Sequence, residues 1–450
     1  MVFSSITFLF YFLPIVLIGY QIVPKKFQNL FLFISSLFFY AWGEPIYVLL
    51  MIFSTISDFC HGKLIYKFKD NKKIKTLFMI SAVTINLALL GFFKYADFLI
   101  MNINNLLGTN IGLLKLGLPI GISFYTFQTM SYSIDVYRGK TTPQNNIIDF
   151  GAFVTLFPQL IAGPIVKYTD VEKELKERTP DYEKGIPLFI IGMSKKILIA
   201  NIIGQLFTAN PSSVFGAWFS VFCYAIQIYF DFSGYSDMAT GLGYMFGFKF
   251  PKNFNYPYIS KSITEFWRRW HMTLGGVFKE YVYIPLGGNR CSKLKQIRNI
   301  FVVWFLTGLW HGANWNFILW GLYFGVILLI EKLFLGKVLE KLPNFFRHLY
   351  ALFLIAIGWI IFAVEDLGAL GGFVKTLFIS GQLIDATTVF NLFNNLFIIV
   401  IAIIASTPFV MSKFEKLNNK TKNLLLMALF IVDIVFLVSS TYNPFLYFRF

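Results

Sequence analysis

Apolar residues in this chain fall in long runs, separated by short polar and basic stretches. Twelve runs stand out, near 3–23, 27–42, 46–60, 76–93, 118–134, 147–166, 186–207, 214–230, 299–330, 349–364, 388–408 and 423–440. A hydrocarbon core of about 30 Å is crossed by roughly 20 apolar residues of helix. Lipid admits only helices or closed barrels, because every backbone N–H and C=O needs a partner inside the structure. The ten-residue alternating segments of a barrel are absent. The pattern therefore predicts an all-α polytopic membrane protein. Several runs hold Pro, Gly or acidic residues, which predicts that some are broken or re-entrant. No internal repeat or low-complexity linker interrupts them, so a single membrane domain over 1–450 is the simplest organisation. The first run lacks a basic leader and a small-residue cleavage site, and reads as a retained span.

Composition agrees with that picture. Charged residues make up 14% of the chain, against about 25% in soluble domains. The net charge of +16 follows from the excess of Lys and Arg on cytoplasmic loops of membrane proteins, so nucleic acid is not needed as a partner. The basic stretches 63–75 and 413–422 are expected inside the cell, the C-terminal end outside. Cys60, Cys223 and Cys291 are odd in number and unpaired in spacing, which points to neither a disulfide framework nor a zinc site.

The largest loop, 249–298, is expected to be cytoplasmic. It carries ten basic residues against two acidic ones, and four of the chain's eight arginines, Arg268, Arg269, Arg290 and Arg298. Planar guanidinium groups suit phosphate through paired hydrogen bonds; a solvated or lipid-headgroup-facing loop is the alternative. Phe266, Trp267 and Trp270 fit a short interfacial helix, and Pro285 with Gly287 and Gly288 fits a turn.

The run 299–330 would be about 48 Å long as one helix, too long for a single span and short for two. "GLWHGAN" lies near its middle, which predicts a broken or re-entrant helix pair bent near His311. Ionisable groups at such depth are costly and often functional, although His311 hydrogen-bonded to a neighbouring helix is also compatible with the pattern. His271 lies beside the Arg268–Arg269 pair, and a neutral imidazole is a competent general base near neutral pH. No carboxylate or cysteine stands at metal-ligand spacing from either ring, so no metal is expected. No Ser–His–Asp order or nucleophile elbow occurs. Asp135 with Arg138, Asp231 and Asp237 read as structural.

These residues bring out a resemblance. "FYAWGEP", "LPIGISFYTFQTMSYSIDVYRG", "LFPQLIAGPI", "IQIYFDFSGYSDMATGLGYMFGF", "NFNYPYISKSITEFWRRWHMTLGGVFKEYVYIPLGGNR", "TGLWHGANWNFILWGLYFG" and "PFLYFRF" follow one another over nearly the whole chain. In that order they resemble the membrane-bound O-acyltransferase family, in particular its branch of bacterial alginate O-acetylation proteins. The resemblance implies about eleven spanning helices, plus re-entrant and interfacial helices, around a central funnel. It implies His311 as the catalytic histidine and His271 as the second signature histidine. It further implies acetyl-CoA as a cytosolic substrate with no bound cofactor, and an extracytoplasmic polysaccharide as acceptor. A separate acetyl-handling partner protein and a place in the bacterial inner membrane belong to the same expectation. Because the motifs are shared by proteins acting on alginate, cellulose, other exopolysaccharides and peptidoglycan, they leave the polymer open.

Residues and resemblance together make Arg268, Arg269, Lys279 and Arg290 candidates for holding the phosphates of coenzyme A. Asn314 and Trp310 are candidates for positioning the histidine or the thioester carbonyl. Tyr447, in "PFLYFRF", is a candidate acyl carrier, because a phenol can hold an acyl ester and the related D-alanyl transferases of teichoic acid use a partner peptide with a similar aromatic end. Two other readings stay open at this point: a transporter or flippase for an acyl or lipid-linked sugar group, and an O-acyltransferase acting on teichoic acid, lipid or peptide.

Overall fold

The computed structural model of the protein describes residues 1–161, 163–440 and 443. Helix is the only regular secondary structure among them. The apolar runs become α1 (Phe8–Ile22), α2 (Gln28–Ala41), α3 (Val48–Lys67), α4 (Lys72–Leu107), α5 (Ile122–Arg138) and α6 (Ile147–Thr155). After the short polar helix α7 (Tyr168–Lys176) come α8 (Tyr182–Gly204) and α9 (Val214–Met245). The basic segment folds into two short helices, α10 (Ile263–Trp267) and α11 (Met272–Phe278). Then follow α12 (Lys293–His311), α13 (Trp315–Leu339), α14 (Asn344–Ala363), α15 (Leu367–Phe378), α16 (Ala386–Asn394), α17 (Leu396–Ala405) and α18 (Asn419–Ser439).

Among the described residues, seven helices are long and apolar enough to cross a membrane, namely α3, α4, α8, α9, α13, α14 and α18. The pair α16–α17, bent by 67°, makes an eighth if it forms one span, and α1 and α15 are shorter apolar helices. The protein is a multi-pass membrane protein of all-α class. Three runs do not give simple spans, each for a visible reason. The run 118–134 becomes α5, which carries polar Gln128 and Asp135 into buried positions. The run 147–166 breaks after Thr155. The run 299–330 reverses direction at 312–314.

The chain forms two compact units. The first comprises Met1–Phe189 and Tyr235–Pro251, the second Ile190–Gly234 and the described part of Lys252–Phe450. In the first unit α3, α4 and α5 pack together around a buried polar knot. Asp58 on α3 accepts from Asn86 Nδ2 on α4 at 2.7 Å and from Ser133 Oγ on α5 at 2.7 Å. Thr129 Oγ1 donates to Asn86 Oδ1 at 2.9 Å. Between helices in lipid, where apolar burial gives no gain, such hydrogen bonds supply both adhesion and register. Phe3, Phe8, Phe12, Phe39 and Phe157 fill the same unit with edge-on and tilted rings.

In the second unit, Lys196 on α8 and Asp231 on α9 form a buried ion pair at 2.7 Å. Asn201 Oδ1 accepts a second hydrogen bond from Lys196 at 2.8 Å. Asp231 is thus structural, as its sequence context suggested. The basic segment 252–298 and the hairpin α12–α13 also belong to this unit.

Candidate active site

His311 is the last residue of α12. The helix stops there because Gly312 is extended and Asn314 caps the next helix, its side chain accepting from Trp315 N at 2.6 Å. The two helices then run back against each other. A Cβ at Gly308 would overlap the Phe317 carbonyl oxygen, and one at Gly321 that of Trp304. These facing pairs, 308 with 317 and 304 with 321, set an antiparallel hairpin that only glycine at both positions allows. The imidazole thus sits at a hairpin tip, 3% exposed. Trp320 and Phe362 meet it edge to face at 4.9 and 5.2 Å between centroids, and Trp310 at 5.0 Å. Edge-on rings hold a neighbouring ring in one orientation without offering it a proton acceptor.

His271 reaches the same cluster from the basic segment. It is 2% exposed, with φ 43° in the left-handed region, where a non-glycine residue is strained by about 1–3 kcal/mol. The strain is held by Asn253. Its carbonyl oxygen accepts from Met272 N at 2.9 Å, and its side-chain Oδ1 accepts from Thr273 N at 3.3 Å and Thr273 Oγ1 at 2.8 Å. Thr273 N–H needs an acceptor, so the Asn253 atom facing it is the oxygen. That oxygen lies 3.0 Å from His271 Nδ1, which makes Nδ1 the protonated nitrogen and Nε2 the basic one. Burial pushes this imidazole down to about 3, so the ring is neutral at physiological pH.

Trp310 touches both histidines, at 5.0 Å from His311 and 5.8 Å from His271. Two imidazoles and an indole are thereby gathered from segments forty residues apart. Such a group can accept a proton from a hydroxyl and orient a carbonyl in a water-poor setting. Among the described residues, no cluster of His, Cys, Asp or Glu is arranged to hold a metal.

The other candidates are placed unevenly. Asn314 is half-buried and caps α13, a structural task. Arg269 is bound to Glu265, at 2.9 Å, and to the Asn255 carbonyl, at 3.0 Å. Arg268 is exposed and lines a cavity of about 700 Å³. Lys279 and Arg290 are exposed and do not line that cavity. Tyr447 lies outside the described residues. Phe266 and Trp270 are both buried, 5.6 Å apart and packed with Trp359.

Residues the sequence reading passed over complete the site. Asn253 sets the His271 tautomer. Trp320 and Phe362 wall His311. Glu331 ties α10 to α13, accepting from Ile263 N at 2.7 Å and Thr264 N at 2.8 Å. A signal existed for Glu331, a lone carboxylate at the end of a strongly apolar run.

The sequence of the chain has known relatives. Residues 144–367 match the family model described as MBOAT, membrane-bound O-acyltransferase family. A probable alginate O-acetylase, AlgI, of Pseudomonas aeruginosa is 43% identical over 82% of this chain and 73% of its own length. The chain belongs to the membrane-bound O-acyltransferase family. As a membrane-bound O-acyltransferase it also resembles the peptidoglycan O-acetyltransferase of Helicobacter pylori, 35% identical over 82% of this chain and 78% of that protein. The teichoic acid D-alanyltransferase of Bacillus subtilis is 32% identical over a smaller share, 48% of this chain and 59% of the relative. The protein is an enzyme of acyl transfer to oxygen.

Proposed function

We propose that this O-acyltransferase takes acetyl groups from cytosolic acetyl-CoA and delivers them across the bacterial inner membrane for O-acetylation of an extracytoplasmic polysaccharide. The observation that carries the reading is the buried His311 at the hairpin tip, in a chain whose more similar relatives are named for O-acetylation of alginate and of peptidoglycan. His311 removes the proton from an attacking hydroxyl as the oxygen adds to the thioester carbonyl. The C–S bond then breaks, the acetyl ester forms, and the sulfur leaves as a thiol by taking up the proton. His271, neutral and held by Asn253, orients the reacting group beside Trp310. Acetyl-CoA is a substrate here, and the reading requires no resident cofactor.

The acceptor class is a polymer such as an alginate-like exopolysaccharide, cellulose or peptidoglycan, handled outside by a separate acetyl-transferring partner. Tyr447 is the proposed carrier between the two compartments: its phenol attacks the acetyl thioester with His311 as base, and the tyrosyl ester passes acetyl outward. A Tyr447→Phe protein that supports full polymer acetylation in cells removes the carrier step while leaving the enzyme reading intact.

The test of the whole reading uses purified protein in nanodiscs with labelled acetyl-CoA, and His311→Ala beside it. The expected result is thioester turnover by the wild type and a loss of about 10²–10⁴-fold in the variant, with acetyl-CoA binding kept. Normal turnover in the variant with lost export would favour a transporter or flippase.

A further inference from the structure

Between α10, the base of the α12–α13 hairpin and the start of α14 lies a cavity of about 700 Å³. Arg268, Lys332 and Arg347 face it from three separate elements. Arg268 and Arg347 make no side-chain hydrogen bond or ion pair with any described residue, and Arg347 Nε is buried without an acceptor. Lys332 Nζ is steered by neutral groups, Asn289 Oδ1 at 2.8 Å and Tyr283 OH at 3.3 Å. The carboxylates nearby are mostly occupied. Glu265 pairs with Arg269 at 2.9 Å and accepts from Lys261 N at 2.9 Å. Glu331 is bound to the α10 backbone. Glu265, Glu331 and the exposed Glu340 all line the cavity, yet none of them pairs with Arg268, Lys332 or Arg347.

We propose that this cavity is a phosphate-ester site, with Arg268, Arg347 and Lys332 holding the phosphate. Arg268, Arg347 and Lys332 have no carboxylate partner among the described residues, and a phosphate supplies the anion they lack. Two guanidinium forks suit its tetrahedral oxygens, and buried Nε–H needs the acceptor a phosphate brings. The remaining wall, with Trp304, Ile300 and Leu328, receives the apolar or planar body of the ester. A cavity of this size is in the range of small-molecule sites. Two sources carry this chemistry: the phosphates of coenzyme A and the headgroup of an anionic phospholipid. The inference goes beyond the proposed reaction, since it holds whichever acyl group is transferred.

The test reads the unaltered full chain in phosphatidylcholine nanodiscs. Phenylglyoxal modification of Arg268 and Arg347 is followed by peptide mass spectrometry, with exposed Arg138 as internal reference. It is repeated with coenzyme A added, and in nanodiscs containing phosphatidylglycerol. Protection of both arginines by coenzyme A alone assigns the site to the donor. Protection by phosphatidylglycerol alone assigns it to lipid, and protection by each assigns it to the shared phosphate. Unchanged rates with both ligands overturn the proposal.

An Arg268→Gln/Arg347→Gln protein should bind the protecting ligand at least about tenfold more weakly, the factor for one lost charge-assisted hydrogen bond. Arg347→Lys, which keeps the charge, should lose less. Acetyl transfer measured in the same samples separates the two readings. A wild type that transfers no acetyl yet shows protection sinks the reaction and keeps the site. Full transfer with no protection does the reverse.

Discussion

Glu331→Ala is the perturbation whose cost the structure defines most closely. The carboxylate belongs to α13 and is 6% exposed. It accepts from Ile263 N at 2.7 Å, from Thr264 N at 2.8 Å and Thr264 Oγ1 at 2.6 Å, and from Tyr350 OH at 3.1 Å. The first three donors open α10, so the charge also meets the positive end of a short helix. Truncation strands two backbone N–H groups, each worth about 1–3 kcal/mol when buried and unsatisfied. Ile263 is fully buried and bears its full cost, whereas half-buried Thr264 recovers some water. The expected loss is therefore about 2–4 kcal/mol. Unfolding of the protein in nanodiscs, by heat or denaturant, measures it. Glu340→Ala, an exposed carboxylate just past the end of α13, is the control and should stay within about 0.5 kcal/mol of wild type. Activity should fall with stability, because α10 carries Trp267, which packs on Trp304 at 4.7 Å and on Trp320 at 5.5 Å, and Trp320 walls His311. If Glu331→Ala melts like Glu340→Ala, the carboxylate does not hold α10 and the account of the site's support is wrong.

Other outcomes follow from single features. Lys196→Met or Asp231→Leu alone should destabilise by about 3–5 kcal/mol by leaving a lone buried charge, whereas the double variant should return close to wild type; a double-mutant cycle of unfolding free energies reads the coupling. Because burial holds the His271 imidazole down to about 3, the unfolded chain binds its proton first as pH falls below about 6.5. Stability from this group is complete above that pH and declines toward the lower value, by at most about 1.4 kcal/mol per pH unit. His271→Asn should flatten the pH dependence of the melting midpoint between 6.5 and 4.5. Asn253→Ala frees the His271 tautomer and should lower kcat more than it raises KM, as steady-state kinetics on acetyl-CoA would show.

How legible the molecule was depends on how far apart the informative residues stand. Spans and the hairpin bend follow from local composition: a run of apolar residues must become helix in lipid, and one too long for a single crossing must turn, which it does at "GLWHGAN". His271 was visible through its neighbours, but Asn253, eighteen residues earlier, was not. Nothing in the local pattern of an asparagine tells that it accepts from a histidine and a threonine at once. Phe266, Trp267 and Trp270 beside arginines have the same pattern whether they meet lipid headgroups or a packed core. The structure decides for the core, because Trp359 and Tyr258 supply facing rings.

The basic loop shows the same limit for charge. Counting its arginines treats them as equivalent, yet Arg269 is bound to Glu265 at 2.9 Å while Arg268, its chain neighbour, has no such partner. Along α10 and the turn that follows, Glu265 and Arg269 are four residues apart and meet on one side. Arg268 points elsewhere and meets a cavity whose other cations are Lys332, near the C-terminal end of α13, and Arg347 on α14. A phosphate ligand is recognised by charges that converge in space, and convergence from 268, 332 and 347 becomes visible only once α12 and α13 have folded back on each other. The hairpin that carries His311 to its tip is therefore also what assembles the cations at its base. A change that opens it, such as a side chain at Gly308 or Gly321, should cost both together. Gly321→Ala, whose Cβ would overlap the Trp304 carbonyl, should lower acetyl turnover and abolish ligand protection of Arg347 in one step. Loss of turnover with protection intact would show that tip and base are not built by the same contact.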